Sequence, residues 1–274
     1  MNTLRILTLA LLFLSVSCKN ANTTQDEEDE TTATSNDPAK PIRFRTETTN
    51  WKDGSCNDSD NSCLKINLSY PVAMNGKEGV SFKINEHIQD YLIATLELEE
   101  PEDELISLEQ AAQRFIKVYQ EEKESLGDSG RNWVVEVDGQ QAIQKNILVI
   151  RLVAYTNTGG AHPNVYQSFT NFDLNTGEEF YYEDFVIDSL ALQKIVEKRF
   201  YQTRKEMDGS FDKDDAFWGK PFYLPENFAI TSKGVKFFYN HYEALAYAFG
   251  PTEFTINYKN LEGIIEIPNE MRKE

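Results

Sequence analysis

The stretch Asn146-Ile147-Leu148-Val149-Ile150-Arg151-Leu152-Val153-Ala154-Tyr155 sets the architecture. Successive side chains of a strand point to opposite faces. Here Ile147, Leu148, Val149, Ile150, Leu152 and Val153 make both faces apolar. β-Branched residues also favour a pleated backbone. Such a strand belongs inside a sheet that is covered on each side.

The flanks extend this pattern. Trp133 to Val137 precedes it as a strand and Val165 to Asp173 follows it. Asp173-Leu174-Asn175-Thr176-Gly177 then makes a tight turn, with Gly177 at positive φ, into a further strand over Glu178 to Tyr182. Upstream, Lys65 to Val72 alternates polar and apolar residues and reads as a strand. Ile84, Ile88, Tyr91 and Leu92 share one face of a helix over about 80–98, which Pro101 ends. Ser107 and Gln110 form a capping box for a second helix. Its stripe is Ala111, Ala112, Phe115, Ile116 and Tyr119, and Gly127 and Gly130 close it. A third helix spans about 189–206, capped by Asp188 or Ser189. Asn227 to Thr231 and Gly234 to Asn240 form a hairpin, and Phe254 to Tyr258 gives a last strand. Runs of strands separated from runs of helices predict an α+β fold. It has a mostly antiparallel sheet and about three helices.

The N-terminus supplies an address. Arg5 precedes the apolar run Ile6 to Leu14, which suits a signal peptide over residues 1–17 and is too short to span a bilayer. Leu14-Ser15-Val16-Ser17-Cys18 resembles the lipobox of bacterial lipoproteins, which implies lipidation of Cys18. Residues 18–41 read as a lipidated cysteine and a disordered acidic tether with the run Asp26 to Glu30. The protein is therefore expected in the cell envelope, held to a membrane by its lipid. An outer-membrane location, facing the periplasm or the surface, fits best.

The chain has 274 residues, 45 acidic and 27 basic, with a net charge of −18. Phosphate repulsion argues against a nucleic acid partner. A basic partner would be attracted, although solubility alone also accounts for the charge. Besides Cys18, the chain has Cys56 and Cys63, flanking a polar, turn-prone segment, and a disulfide is expected between them. Asp58 and Asp60 lack the spacing of a calcium loop.

Two stretches carry a family resemblance. One is Tyr155-Thr156-Asn157-Thr158-Gly159-Gly160-Ala161-His162-Pro163-Asn164, followed by Asn171 to Glu178 and Asp184-Phe185. The other is Gly234 to Glu243, with Tyr247, Gly250 and Pro251 behind it. Together they resemble the domain of unknown function DUF3298. Residues 42–155, with Leu68-Ser69-Tyr70-Pro71 and Ile84-Asn85, resemble its usual partner DUF4163, also called PdaC-like. The resemblance implies two intimately packed subdomains, 42–155 and 156–270. It further implies a role like that of the extracellular region of lysozyme-sensing anti-sigma factors. Related domains precede the catalytic domain of a peptidoglycan deacetylase, but the chain has no Thr-Phe-Asp-Asp motif and no His-x-x-x-His metal pair. The reading is a non-enzymatic envelope binding module for a lysozyme-like protein or peptidoglycan. The alternative is a peptidoglycan-directed hydrolase or deacetylase accessory domain. No catalytic residue, cofactor or metal is assigned.

The candidate ligand-binding residues are Gly159, Gly160, His162, Asn164, Trp218 and Tyr242. His162 and Asn164 either touch a ligand or brace the glycine turn. Phe211, Phe217, Trp218, Phe222 and Tyr223 either cover the core or form a binding surface, and Tyr239, Tyr242 and Tyr247 share that ambiguity. His87 falls on a polar helix face, where solvation is expected, and His241 sits among aromatics. Glu183-Asp184 and Asp212 to Asp215 are the candidate paired carboxylates, a pattern that 45 acids produce by chance.

Overall fold

The computed structural model describes residues 40–54, 56, 62–98, 106–126 and 131–266. Cys18, residues 19–39 of the tether, Asp58, Asp60, Pro101, Gly127 and Gly130 lie outside them. The fold is α+β, with two sheets that are mostly antiparallel.

The first sheet has the order β1-β2-β3-β4-β5, over Arg43–Asp53, Leu64–Met74, Trp133–Gln144, Ile147–Asn157 and Asn164–Asp173. Only the β2–β3 pairing within it is parallel. Parallel neighbours need a long crossover, and α1 (Val80–Leu96) with α2 (Leu108–Leu126) supplies it. Ser107 and Gln110 bond reciprocally at the start of α2, through Ser107 N–H to Gln110 Oε1 at 2.8 Å and Gln110 N–H to Ser107 Oγ at 3.2 Å. The capping box therefore sits where the sequence places it. Cys56 and Cys63 form a disulfide between β1 and β2, with 5.1 Å between Cα atoms.

The second sheet is β6-β7-β8, over Asn227–Thr231, Gly234–Tyr239 and Thr252–Asn257. It packs with α3 (Tyr182–Phe185) and α4 (Ser189–Met207), whose N-cap Asp188 accepts from Ala191 N–H at 2.9 Å. Among the described residues no helix is long and apolar enough to cross a membrane.

Strand β4 touches both cores. Leu148, Ile150, Leu152 and Ala154 join the core beneath α1 and α2. Ile147 and Val149, on the opposite face, join the core shared by α4 and the second sheet. This explains the doubly apolar run. The open side of β5 meets β6 through side-chain amides instead of a backbone ladder. Asn240 Oδ1 accepts from Gln167 N–H at 2.7 Å and its Nδ2 donates to Gln167 O at 2.9 Å. Asn227 Oδ1 accepts from Phe169 N–H at 3.0 Å. Asn171 reaches the other way, donating to Phe228 O at 2.9 Å and accepting from Ile230 N–H at 2.7 Å. An amide offers a donor and an acceptor side by side, as a peptide does. Two exposed edges, each a risk for aggregation, are joined by this seam.

Two readings of the sequence are corrected, and one strand is added. Residues 178–182 are not a strand: Glu179 makes one bridge to Phe172, and the chain then turns into α3. Strand β3 runs on to Gln144, well beyond Val137. The polar segment Arg43–Asp53 forms β1, paired along its whole length with β2.

Candidate functional site

The turn between β4 and β5 is built by glycine. Gly159 has φ of +82°, which non-glycine residues rarely adopt, and a Cβ there would collide with the Arg131 side chain. Its N–H is held by Asn157 Oδ1 at 3.0 Å and its carbonyl by the Arg131 guanidinium. Gly160 is exposed beside it.

This turn presents His162 to the segment that follows β7. His162 Nε2 lies 2.9 Å from Tyr242 Oη, and its Nδ1 lies 3.0 Å from Pro163 O. The His162 ring stacks on Tyr247 with centroids 3.8 Å apart and planes at 15°. His241 stacks on Tyr247 as well, at 4.5 Å. Four rings thus form one platform. His162 and Tyr242 are exposed, and Tyr242 holds φ of +63°. Glu243 braces the turn: its carboxylate accepts from Asn240 N–H at 2.8 Å and Glu226 N–H at 3.0 Å. Burial pushes this carboxyl above the usual range, and those two N–H groups pull against the shift.

The other proposed site residues fall in different places. Asn164 lines a separate cleft between α1 and the N-terminal end of β5. Trp218 is 53 % exposed on a short turn, and the N–H of its neighbour Phe217 bonds Ala244 O at 2.8 Å. The aromatic segment therefore divides by residue: Phe217 and Phe222 are buried, whereas Trp218 and Tyr223 remain accessible. Tyr239 is core and its phenol is pushed up by burial.

His87 is not simply solvated. Its Nε2 lies 2.9 Å from Thr170 Oγ1, and its Nδ1 lies 2.6 Å from Glu179 Oε1. The Tyr181 hydroxyl donates to Glu179 Oε2 at 2.9 Å. Hydroxyl, imidazole and carboxylate stand in the order used by acyl-transfer triads. A cavity of about 370 Å³ beside them is lined by His87 and Glu179 but not by Thr170. The relay therefore reads as a clasp from α1 to β5 and the turn after it. The paired carboxylates are local caps: Asp184 accepts from Tyr181 N–H at 2.7 Å and Asp212 from Asp214 N–H at 3.1 Å. Among the described residues no group of three or more His, Cys, Asp and Glu is arranged to hold a metal.

The clasp has a pH signature. The bond from His87 holds the Glu179 carboxyl below its ordinary value of 4.5, against the opposing effect of burial. A depressed acid stabilises the fold above its unfolded value, and that contribution disappears as pH falls through the folded value. Glu179→Gln should therefore lower stability at neutral pH and flatten the acid limb. Urea midpoints measured between about pH 7 and pH 2 should converge with those of the parent chain at the acid end. Parallel curves would show that the carboxylate contributes nothing through its charge.

Two family models match the chain. One, described as deacetylase PdaC, covers residues 57–165, and the other, a protein of unknown function (DUF3298), covers 183–259. The chain carries both domains. The Gly159–Asn164 block lies within the PdaC match, so the platform takes His162 from the PdaC domain and His241, Tyr242 and Tyr247 from the DUF3298 domain. No curated protein matches. Among solved structures, a DUF3298 family protein from Pseudomonas aeruginosa PAO1 is similar at 17 % identity, with a TM-score of 0.57 and coverage of 85 % of this chain and 97 % of that one. A member of the same family from Bacteroides fragilis is similar at 19 % identity, TM-score 0.59, covering 82 % of this chain and 93 % of that one. At such identities the likeness is one of fold.

The sequence pointed to His162 and Tyr242 separately, and their joining needed the fold. The clasp of Thr170, His87 and Glu179 was missed because its members are 83 and 92 positions apart at the extremes. The asparagine seam left one signal, since Asn171 sits inside a strand although asparagine is depleted there.

Proposed function

We propose that this chain is a non-enzymatic, lipid-anchored binding module of the cell envelope whose ring platform recognises a basic protein such as lysozyme. One observation carries the reading: His162, Tyr242, Tyr247 and His241 form a surface platform across the two domains, with its rings already fixed by stacking and hydrogen bonds. Exposed, preorganised aromatic side chains are the kind that dominate interface energetics, because little entropy remains to be lost on binding. Both His162 ring nitrogens already have partners, which suits a scaffold better than a general base. The net charge of −18 favours encounter with a positively charged partner. The Cys18 lipobox supports the anchor, and the acidic segment after it supports stand-off from the membrane.

The test is binding of the detergent-solubilised full chain to lysozyme and to purified peptidoglycan at low salt. Tyr242→Ala and His162→Ala should each weaken lysozyme binding by about 10-fold or more, the usual loss at an interface hot spot. Added salt should weaken it further by screening. Binding to peptidoglycan alone, or lysozyme binding unchanged in both variants, overturns this reading. Release of acetate or reducing ends from peptidoglycan would favour the hydrolase or deacetylase alternative.

A further inference from the structure

A second concave site lies apart from the platform, where the C-terminal half of α1 leans over the N-terminal ends of β4's partner strand β5 and the end of β4. It encloses about 480 Å³, within the range of small-molecule sites and ample for one sugar ring. Its chemistry is unusual for a surface crevice on so acidic a chain. The polar side chains that line it are those of Tyr91, Thr95, Thr156, Thr158, Asn164 and Tyr166, the last of which accepts from Asn227 Nδ2 at 3.4 Å. Its apolar surface comes from Phe115 with Ala94, Ala154 and Leu98. Among the described residues of the lining, Glu97 is the one carboxylate, and no lysine, arginine or histidine accompanies it.

That lining selects among ligand classes. Among the described lining residues, phosphates, sulfates and sugar acids find no cation to offset their desolvation and a carboxylate to repel them. A wholly apolar ligand would offer no hydrogen bond to the threonine, tyrosine and asparagine side chains of the lining. A neutral pyranose matches instead, because its C–H face packs on aromatic and aliphatic surface while its hydroxyl rim exchanges hydrogen bonds with side-chain hydroxyls and amides. The Tyr91 hydroxyl is poised for this exchange: its hydrogen bond to Tyr166 O is long at 3.4 Å. Burial pushes the Tyr91 phenol up, so it remains a neutral donor. Thr95 shapes the wall by donating to Tyr91 O at 2.8 Å, which fixes the helix turn that carries the tyrosine.

We infer that this cleft binds one uncharged pyranose residue, with Tyr91 and Asn164 as its principal hydrogen-bonding side chains. The inference stands independently of the platform, because the two sites share no residue.

The test uses the detergent-solubilised full chain and saturation-transfer NMR with N-acetylglucosamine and its β-1,4-linked disaccharide as probes, and glucuronic acid as the charged counterpart. The neutral sugars should show transfer and glucuronic acid should not. Tyr91→Phe keeps the ring and removes the hydroxyl. Asn164→Ala trims an exposed side chain. Each should weaken the neutral sugars by about 3- to 10-fold, the range expected for one lost hydrogen bond, and the double variant by more. Absence of transfer at millimolar sugar overturns the inference, as does affinity unchanged in both variants. Sugar binding abolished by Tyr242→Ala but retained in Asn164→Ala also overturns it, by moving the sugar to the platform. Lysozyme binding that fails while sugar binding persists sinks the platform reading and leaves this one intact.

Discussion

Asn171→Leu should destabilise the protein by about 2–6 kcal/mol, because it strands two buried backbone groups at once. Asn171 is 1 % exposed, and its amide satisfies Phe228 O and Ile230 N–H on β6. Leucine has similar bulk and neither function, so Phe228 O and Ile230 N–H would face an apolar side chain, at about 1–3 kcal/mol each. Asn171→Asp separates hydrogen bonding from shape. At neutral pH the new carboxylate still accepts from Ile230 N–H but turns an oxygen toward Phe228 O, and its charge is buried without a cation. Protonation restores a donor. The Asn171→Asp penalty should therefore shrink as pH falls, whereas the Asn171→Leu penalty should stay level. Denaturant midpoints for both variants across pH make the measurement. A loss below about 1 kcal/mol for Asn171→Leu would mean that water reaches the seam and replaces the amide.

How much of this was legible in the sequence depends on distance along the chain. Capping boxes and N-caps were, since Ser107–Gln110 and Asp188–Ala191 are spaced by a single helical turn. The apolar faces of α2 and β4 were, because burial imposes a period. Strand β1 was not: RFRTETTNWKD alternates weakly, and its pairing comes from the edge that β2 offers. Residues 178–182 have strand composition, yet Glu179 bonds His87 and Asp184 captures Tyr181 N–H, so side-chain hydrogen bonds won over the ladder. At the candidate site the glycine turn could be read locally. The meeting of His162 with Tyr242, 80 positions later, could not, because it is set by how the seam holds β5 against the segment after β7.

Phe200→Ala should cost about 3–5 kcal/mol, the usual loss for a fully buried phenylalanine. Phe200 has no accessible surface and stands amid Tyr239 at 4.9 Å, Phe217 at 5.1 Å and Phe222 at 6.2 Å between ring centroids. The site cannot collapse cheaply, since these rings are held from β7 and from the segment between α4 and β6, on separate backbones. The more telling readout is where the loss is felt. Opening the second core would expose Ile147 and Val149 on β4 and uncover the β5 edge. Leu148 and Ile150 of the same strand belong to the first core. Both cores pack on the same strand from opposite faces, so the two should unfold as one cooperative unit. Hydrogen exchange through global opening should accelerate by the same factor, about 10²–10⁴-fold, for amides of β2, which line only the first core, and of β7, which line only the second. Acceleration confined to β7 would mean that the second sheet opens by itself. The asparagine seam and the shared strand would then join two bodies that fold independently, and the His162–Tyr242 platform would depend on their docking for its shape.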